Sequence, residues 1–329
     1  MIWVLVGWHY GLSSLLTVLA LTALEVTLSA DNAVINSRVL ITMSPFWQKL
    51  FLTVGIFTAV FVVRFALPIL IVMLTSGLGF GEVYNLIVYD PVGYAEHLHE
   101  SEVLINSFGG TFLLMVALCF FLDKNKEHHW FTPLERPLAS LGRVENITAF
   151  VILVIIAIVF FTLDSSHRTD NLMAGIIAVI LHEGLQLLGN TMESHQESLT
   201  GVQHKTGLVA LSAFIYLEVL DSSFSLDGVI GAFAMTTDVI VIMAGLGAGA
   251  LWVRGITIHL VQKDILARFR FLEHGAHWAI AFLGFVMLSK LYGVELPEWM
   301  IGGTGLLMIV LSVWWSIRTK PDKHAELPE

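Results

Sequence analysis

Residues 24–35 read LEVTLSADNAVI, and they place two acids, Glu25 and Asp31, inside a stretch that is otherwise apolar enough to cross a bilayer. An ionised carboxylate at the centre of a spanning helix costs roughly 2.5–3.5 kcal/mol on insertion scales. Acids are therefore rare in such segments, and where they occur they mark a functional position. The stretch predicts a site for a positively charged ligand within the membrane.

A second stretch, residues 219–230, reads VLDSSFSLDGVI and repeats the pattern of the first. Both contain an acid, three residues, Ser, one residue, Asp, two residues and an aliphatic side chain. The aligned pairs are Glu25 and Asp221, Ser29 and Ser225, Asp31 and Asp227, and Asn32 and Gly228. Glu218, just before the second motif, adds a fifth acid.

The composition is that of a polytopic membrane protein. Of 329 residues, 56% are hydrophobic and 13% are charged, which is about half the charged fraction of a soluble domain. Basic residues are dispersed between apolar runs and form no patch, so no nucleic-acid partner is expected. The single cysteine, Cys119, excludes a disulfide framework and a thiolate metal site.

The predicted fold is all-α, with about nine membrane spans, because about 17–25 apolar residues are needed to cross a bilayer. These runs lie at 12–31, 50–74, 103–122, 147–163, 171–190, 207–231, 239–261, 276–292 and 299–317. Nearly all lysines and arginines outside the spans lie on one side, so the positive-inside rule predicts an external amino terminus and a cytoplasmic carboxy terminus. The amino terminus lacks a basic signal region and is interpreted as uncleaved.

Spans one to three resemble spans six to eight, which predicts an internal repeat. Gly55 and Arg64 have the same spacing as Gly245 and Arg254, and Phe112 can be aligned with Phe282. Because the offset is five spans, the copies have opposite orientations, as in secondary transporters whose sites form at the repeat interface. The predicted parts are a first repeat at 1–122 with an external loop at 75–102, a cytoplasmic loop at 123–146, two linking spans with a loop at 147–206, a second repeat at 207–292, and a final span with a cytoplasmic tail at 293–329.

Helical geometry bears on how the acids are presented. Glu25, Ser29, Asn32 and Asn36 fall within about 60° of one another and form a polar stripe. Asp31 points about 240° from Glu25, so an unbroken helix cannot aim both acids at one ion. The Ser, Asp, Asn and Gly content predicts helix breaks at Ser29–Asn32 and Ser225–Gly228.

Other interpretations of the polar residues are open. The acids could form buried ion pairs with Arg64 and Arg254, or these arginines could help to release a bound cation. His182 and Glu183 could bond Gln186 between helices, or act as a proton relay or auxiliary ligands. Residues 90–102 carry several acids and two histidines, and could be a solvated loop or a cation-collecting vestibule.

The motif EVTLSADNAVI resembles the signature E-x-x-L-S-x-D-N of the TerC family of bacterial integral membrane proteins, and SLDGVIGAF resembles that family's second acidic motif. The run FGGTFLLMVAL and the length of loop 123–146 look most like a branch that carries an unknown-function label. Several TerC members are regarded as manganese exporters of the bacterial inner membrane. The resemblance implies metal positions at Glu25, Asp31, Asn32, Asp221, Asp227 and Gly228.

The predicted function is export of a divalent cation, with manganese preferred, by alternating access and with proton antiport as a plausible drive. Oxygen ligands without thiolates suit manganese, magnesium or calcium. The expected metal positions are Glu25, Ser29, Asp31, Asn32, Glu218, Asp221, Ser225 and Asp227. No enzymatic activity and no prosthetic group are expected, and the partners are the lipid bilayer and the cation, with a homo-oligomer or a membrane-protein partner left open.

Two alternatives come from other classes of protein. One is a membrane scaffold or assembly factor that helps to metalate or insert other membrane proteins. The other is an intramembrane aspartyl protease in which Asp31 and Asp227 share a proton. The GxGD context of such proteases is absent, because Ser225 and Leu226 precede Asp227.

Overall fold

The computed structural model describes residues 2–55, 57–58, 64–124, 126, 128–144, 146–200, 204–263 and 265–319. The chain is 84% helical, and the described residues contain no β-strand. The all-α prediction is therefore confirmed.

Among the described residues, the first half contains seven α-helices and a π-helical turn at Phe51–Gly55. These α-helices are α1 (Ile2–Leu28), α2 (Ala30–Ile41), α3 (Pro45–Leu50), α4 (Arg64–Ser76), α5 (Phe80–Tyr89), α6 (Pro91–Glu100) and α7 (Glu102–Phe121). The second half contains α8 (Thr132–Leu141), α9 (Ile147–Thr162), α10 (Arg168–Thr200), α11 (Gly207–Met235), α12 (Val239–Gln262), α13 (Ile265–Arg268), α14 (Leu272–Lys290) and α15 (Glu298–Arg318).

Six described helices are long and apolar enough to cross a membrane, as expected of a membrane protein. They are Gly11–Leu28, Glu102–Phe121, Arg168–Thr191, Gly207–Phe233, Val239–Gln262 and Glu298–Arg318. The helices Ala66–Ser76 and Phe80–Tyr89, bent by 116° at their junction, give a seventh if they count as one span.

The predicted count of nine is not reached among the described residues. Helix α9 is apolar but short. Helix α14 carries Glu273, His274, His277 and Lys290, which lower its hydropathy. The predicted span 50–74 includes the π-helical turn and residues outside the described ranges.

The first predicted helix break is confirmed. Ser29 has φ −108° and ψ 10°, which separates α1 from α2. The second prediction is wrong, because α11 runs from Gly207 to Met235 without interruption. Just before the predicted break, the hydroxyls of Ser222 and Ser223 donate to carbonyl oxygens one turn earlier in α11, at 2.5 and 2.9 Å, so serines of this motif are compatible with a continuous helix.

Glycines of α12 bring it against α1 in parallel orientation. A methyl group at Gly245 would overlap Leu21, and one at Gly249 would overlap Cβ of Glu25 and lie 3.0 Å from the carbonyl oxygen of Thr22. The Thr22 hydroxyl also donates to the carbonyl oxygen of Gly245 at 3.2 Å. Small residues permit such close approach of membrane helices.

Helices α7 and α14 cross through a second pair of glycines. A methyl group at Gly110 would lie 3.0 Å from the carbonyl oxygen of Gly284, and one at Gly284 would lie 3.0 Å from that of Gly110 and from Cγ of Leu114. Gly109 faces Met287, so residue numbers rise along one helix as they fall along the other. The two helices are therefore antiparallel.

A buried carboxylate fastens the segment 123–146 to α14. Glu135 is fully buried and accepts hydrogen bonds from the backbone N–H of Trp130 and Phe131 at 3.1 and 3.2 Å, and from Nε1 of Trp278 at 3.0 Å. Nζ of Lys126 lies 2.9 Å from its Oε2. Burial alone would raise the pKa of Glu135, but the hydrogen bonds from Lys126 and Trp278, together with the charges of His274 and Lys126, lower it below its usual value.

Candidate cation site

The two acidic motifs meet where the α1–α2 segment crosses α11. Nδ2 of Asn32 donates a hydrogen bond to Oδ1 of Asp221. At the other end of the crossing, a methyl group at Gly228 would lie 3.8 Å from Oε2 of Glu25. The acid of each motif therefore faces the Asn or Gly position of the other, and the two segments are antiparallel.

Glu25 is held in place by its own helix and by α12. Its side chain is buried, and Oγ of Ser29 donates to its Oε1 at 2.8 Å. Gly249 packs directly against its Cβ and Cγ. A hydroxyl donor and a close helix thus fix the direction in which this carboxylate points.

Asp31 has a different local role from Glu25. It is buried, and its Oδ1 accepts a hydrogen bond from the backbone N–H of Asn32 at 3.0 Å. It lies in the first turn of α2, where the helix dipole and unpaired N–H groups favour a negative charge. Its carboxylate therefore stabilises the start of α2.

Glu218 lies one turn before the second motif. Both of its carboxylate oxygens are buried, and neither has a hydrogen-bond partner among the described residues. A methyl group at Gly55 would lie 2.9 Å from its Oε1, so the π-helical turn passes directly over this acid. Turns of this type are frequent at functional sites.

Of the remaining motif residues, Ser225 is buried on α11. The side chains of Asp227 and Arg64 lie outside the part of the chain whose side chains are described. Arg254 forms no ion pair within the described part, and its buried Nε has no hydrogen-bond partner there.

His182 lies on α10 and is surrounded by aromatic and sulfur groups. Its ring centroid is 5.5 Å from that of Phe112 and 6.2 Å from that of Tyr216, and its Nε2 is 4.0 Å from Sγ of Cys119. Its Nδ1 is 4.0 Å from Oε1 of Glu183, which is 42% exposed. These contacts involve none of the motif acids.

A cavity of about 410 Å³ opens beside the segment 90–102. Ile230 and Gly231, about one turn beyond Gly228 on α11, form part of its lining. Its polar lining consists of Glu96, His99, Glu102, Lys290, Glu295 and Glu298, with Nδ1 of His99 at 2.9 Å from Oε2 of Glu102 and Nζ of Lys290 at 3.9 Å from Oε1 of Glu298. The contributions of Glu295 and Glu298 were not foreseen, because nothing in the residues before α15 repeats the acidic motifs.

Among the described side chains, no group of three or more His, Cys, Asp or Glu residues could hold a metal ion. The crossing carries two acids, a hydroxyl and an amide in two separate contacts, Ser29 with Glu25 and Asn32 with Asp221. The close contacts of Gly55 with Glu218 and of Gly249 with Glu25 were not predicted from the sequence. The nine-residue Gly-to-Arg spacing marked Gly55 as part of the repeat, but nothing marked its contact with Glu218.

A family model described as "Protein of unknown function (DUF475)" matches residues 30–323. No curated protein and no solved structure matches the chain.

Proposed function

We propose that this chain, which belongs to the DUF475 family of proteins of unknown function, is a membrane transporter that exports a divalent metal cation through an intramembrane acidic site. The observation that carries the proposal is the crossing of the two motifs, where Asn32 bonds Asp221 and Gly228 faces Glu25. It brings a buried acid of the first half, Glu25, and a half-buried acid of the second half, Asp221, to the two ends of one crossing between helices of membrane-spanning length.

The inverted repeat is part of the proposal, and equivalent contacts support it. With Glu25 aligned to Asp221, the pair Asn32 and Asp221 is equivalent to the pair Gly228 and Glu25. A two-fold axis between the motifs would relate these two contacts, and such an axis is expected in the membrane plane of an inverted repeat.

A second equivalence involves the glycines of spans two and seven. Gly55 contacts Glu218, and Gly245 accepts a hydrogen bond from Thr22. In the alignment, Gly55 corresponds to Gly245 and Glu218 to Thr22, so these contacts are also related by the same operation.

The third equivalence lies on the proposed axis itself. Aligning Phe112 with Phe282 also aligns Leu114 with Gly284. These two residues touch, since a methyl group at Gly284 would lie 3.0 Å from Cγ of Leu114. A residue that contacts its own counterpart, between antiparallel helices, is the arrangement expected at a two-fold axis.

The chemistry favours a hard cation as cargo. Carboxylate, hydroxyl and amide oxygens without thiolate are ligands of manganese, magnesium and calcium. The resemblance of both motifs to those of the TerC family supports manganese among these. We further propose that the protein lies in the bacterial inner membrane with its amino terminus outside the cell. In that orientation, the cavity beside Glu102 is the external vestibule and the segment 123–146 is cytoplasmic.

The wild-type protein in proteoliposomes should move Mn²⁺ across the bilayer, and adding a proton gradient should change the rate if protons are the counter-ion. The measurement is uptake of Mn²⁺, Mg²⁺, Ca²⁺ and Zn²⁺, each with and without a pH gradient. Protein-free liposomes give the background leak. Flux of none of the four ions above that leak would overturn the transport proposal.

The same experiment tests the assembly-factor alternative. A protein that only helps to metalate or insert other membrane proteins should show no flux alone and should copurify with a stable partner. The mechanism of a transporter requires no such partner.

The asymmetry of the repeat gives a further prediction, for Gly228→Asn. The new amide should donate to Glu25 as Asn32 donates to Asp221, and this bond competes with the cation for the carboxylate. A hydrogen bond of about 1 kcal/mol corresponds to an approximately fivefold higher half-saturating Mn²⁺ concentration.

Two control variants separate the effect of the hydrogen bond from the effect of the added volume. Gly228→Ala adds volume without a donor, so its effect is subtracted as the steric part. Gly303→Asn adds the same amide to α15 at a position with nothing within 4 Å, and should leave the half-saturating concentration at its wild-type value. Equal effects of the Asn and Ala changes at 228 would refute the hydrogen-bond account.

A further inference from the structure

The polar stripe on α2 continues past the acids to Asn36. This side chain is 6% exposed, and its Oδ1 is buried with no hydrogen-bond partner among the described residues. The same is true of Oδ1 of Asn32, one turn earlier, on a side chain that is 1% exposed. A buried acceptor without a donor is unfavourable, and two on one helix face need an explanation such as an ion or its water.

The neighbouring residue shows that this segment can satisfy polar groups when no ligand is needed. Ser37 is fully buried, and its hydroxyl donates to the carbonyl oxygen of Val34 at 2.7 Å. The amide of Asn32 is oriented by its bond to Asp221, which leaves its Oδ1 for another partner. Within α2, the buried side-chain oxygens without a hydrogen-bond partner among the described residues are therefore those of Asn32 and Asn36.

Asn36 lies closer than Asn32 to the carboxy-terminal end of α2. Arg38, two residues further, pairs with Glu273 at the start of α14, at 2.5 Å, and its side chain is 45% exposed. Asn36 thus lies between a solvent-accessible end of α2 and the acids. Residues four apart on a helix are neighbours about 5–6 Å apart, so the two amides can act in succession or bracket one hydrated ion.

We propose that Asn36 is a ligand of the transported divalent cation, and that with Asn32 it forms an access position on the 123–146 side of the acidic site. This inference rests on the proposed transport function and adds a residue to its path. Neutral amide oxygens suit a hard cation that must be bound and then passed on, because they bind it more weakly than the carboxylates do.

The experiment uses full-length protein in proteoliposomes with Mn²⁺ supplied on the 123–146 side. Asn36→Leu, close in size but without the oxygen, should raise the half-saturating Mn²⁺ concentration about tenfold. Asn36→Asp should lower it, because a carboxylate binds the cation more tightly than an amide does. Ser37→Ala is the matched control, since its hydroxyl serves only its own helix.

A readout independent of transport is the binding of Mn²⁺ to the purified protein, measured by electron paramagnetic resonance. Asn36→Leu should weaken binding and Asn36→Asp should strengthen it. If Asn36→Leu does not fold, as judged by size-exclusion chromatography, Asn36→Asp and Asn36→Ala answer the same question.

The inference is overturned if the folded Asn36 variants transport and bind Mn²⁺ within twofold of wild type, which would mean that Asn36 holds only water. Glu25→Gln distinguishes this outcome from failure of the proposed function. If Glu25→Gln stops transport while the Asn36 variants behave as wild type, the acidic site stands and only the access position is lost. If Glu25→Gln also transports normally, both proposals fail.

Discussion

Glu25→Gln and Asp221→Asn should each reduce Mn²⁺ flux in proteoliposomes to the protein-free background, with the protein still folded. Each change removes the charge of a motif acid at the crossing and keeps its size. Loss of a carboxylate ligand from a divalent-cation site removes both a charge and a hard oxygen, and a reduction of 100-fold or more, on the order of 3 kcal/mol, is expected.

The structure supplies a control and a comparison for these variants. Asp164→Asn removes an exposed acid at the end of α9, away from the crossing, and should transport at the wild-type rate. Asp31→Asn removes the charge while keeping an oxygen that can cap α2. Full loss of flux in Asp31→Asn would make this residue a ligand, whereas a partial loss would fit its capping position.

Unchanged flux in Glu25→Gln and Asp221→Asn would exclude the crossing as the transport site. The fold of each variant is checked by size-exclusion chromatography and by thermal unfolding in detergent. A loss of flux that accompanies aggregation would report on stability and not on the site.

Gly249→Ala should lower the free energy of unfolding by about 1–3 kcal/mol, the usual effect of overpacking a tight interface. The added methyl group overlaps Cβ of Glu25 and approaches the carbonyl oxygen of Thr22, so neither contact is the flexible end of a side chain. Helices α1 and α12 must therefore separate, and the carboxylate of Glu25 must move with α1.

Gly255→Ala is the matched variant on the same helix. A methyl group there meets nothing within 4 Å, and alanine is the better helix former by about 1 kcal/mol. Thermal unfolding should thus shift in opposite directions for the two variants. A loss of stability in both would point to the backbone of α12 and not to its contact with α1.

The sequence was enough to predict the helical class and the two motifs, because these depend on apolar length and on residue types along the chain. The break at Ser29 was also predicted. The break expected at Ser225–Gly228 is absent, because α11 continues through it, and residue type alone does not distinguish serines that bond within a helix, as Ser222 and Ser223 do, from serines that interrupt one.

Contacts between segments could not be predicted from the sequence pattern. That Asn32 reaches Asp221 depends on the level at which α2 crosses α11, and the residue pattern of the two motifs does not specify that level. The predicted count of nine spans is not reached among the described residues. One predicted span, α14, bears Glu273 and Lys290 near its ends, where they pair with Arg38 and Glu298.

The difference between Asn32 and Gly228 bears on the direction of the proposed transport. A carrier with two identical halves would present the same face to each compartment, and its two end states would have equal energy. Here only Asn32 reaches across to the opposing acid, while Gly228 leaves Glu25 without the matching amide. In the proposed transporter, this difference would make the two end states unequal in energy, because one carries a hydrogen bond that has no counterpart in the other.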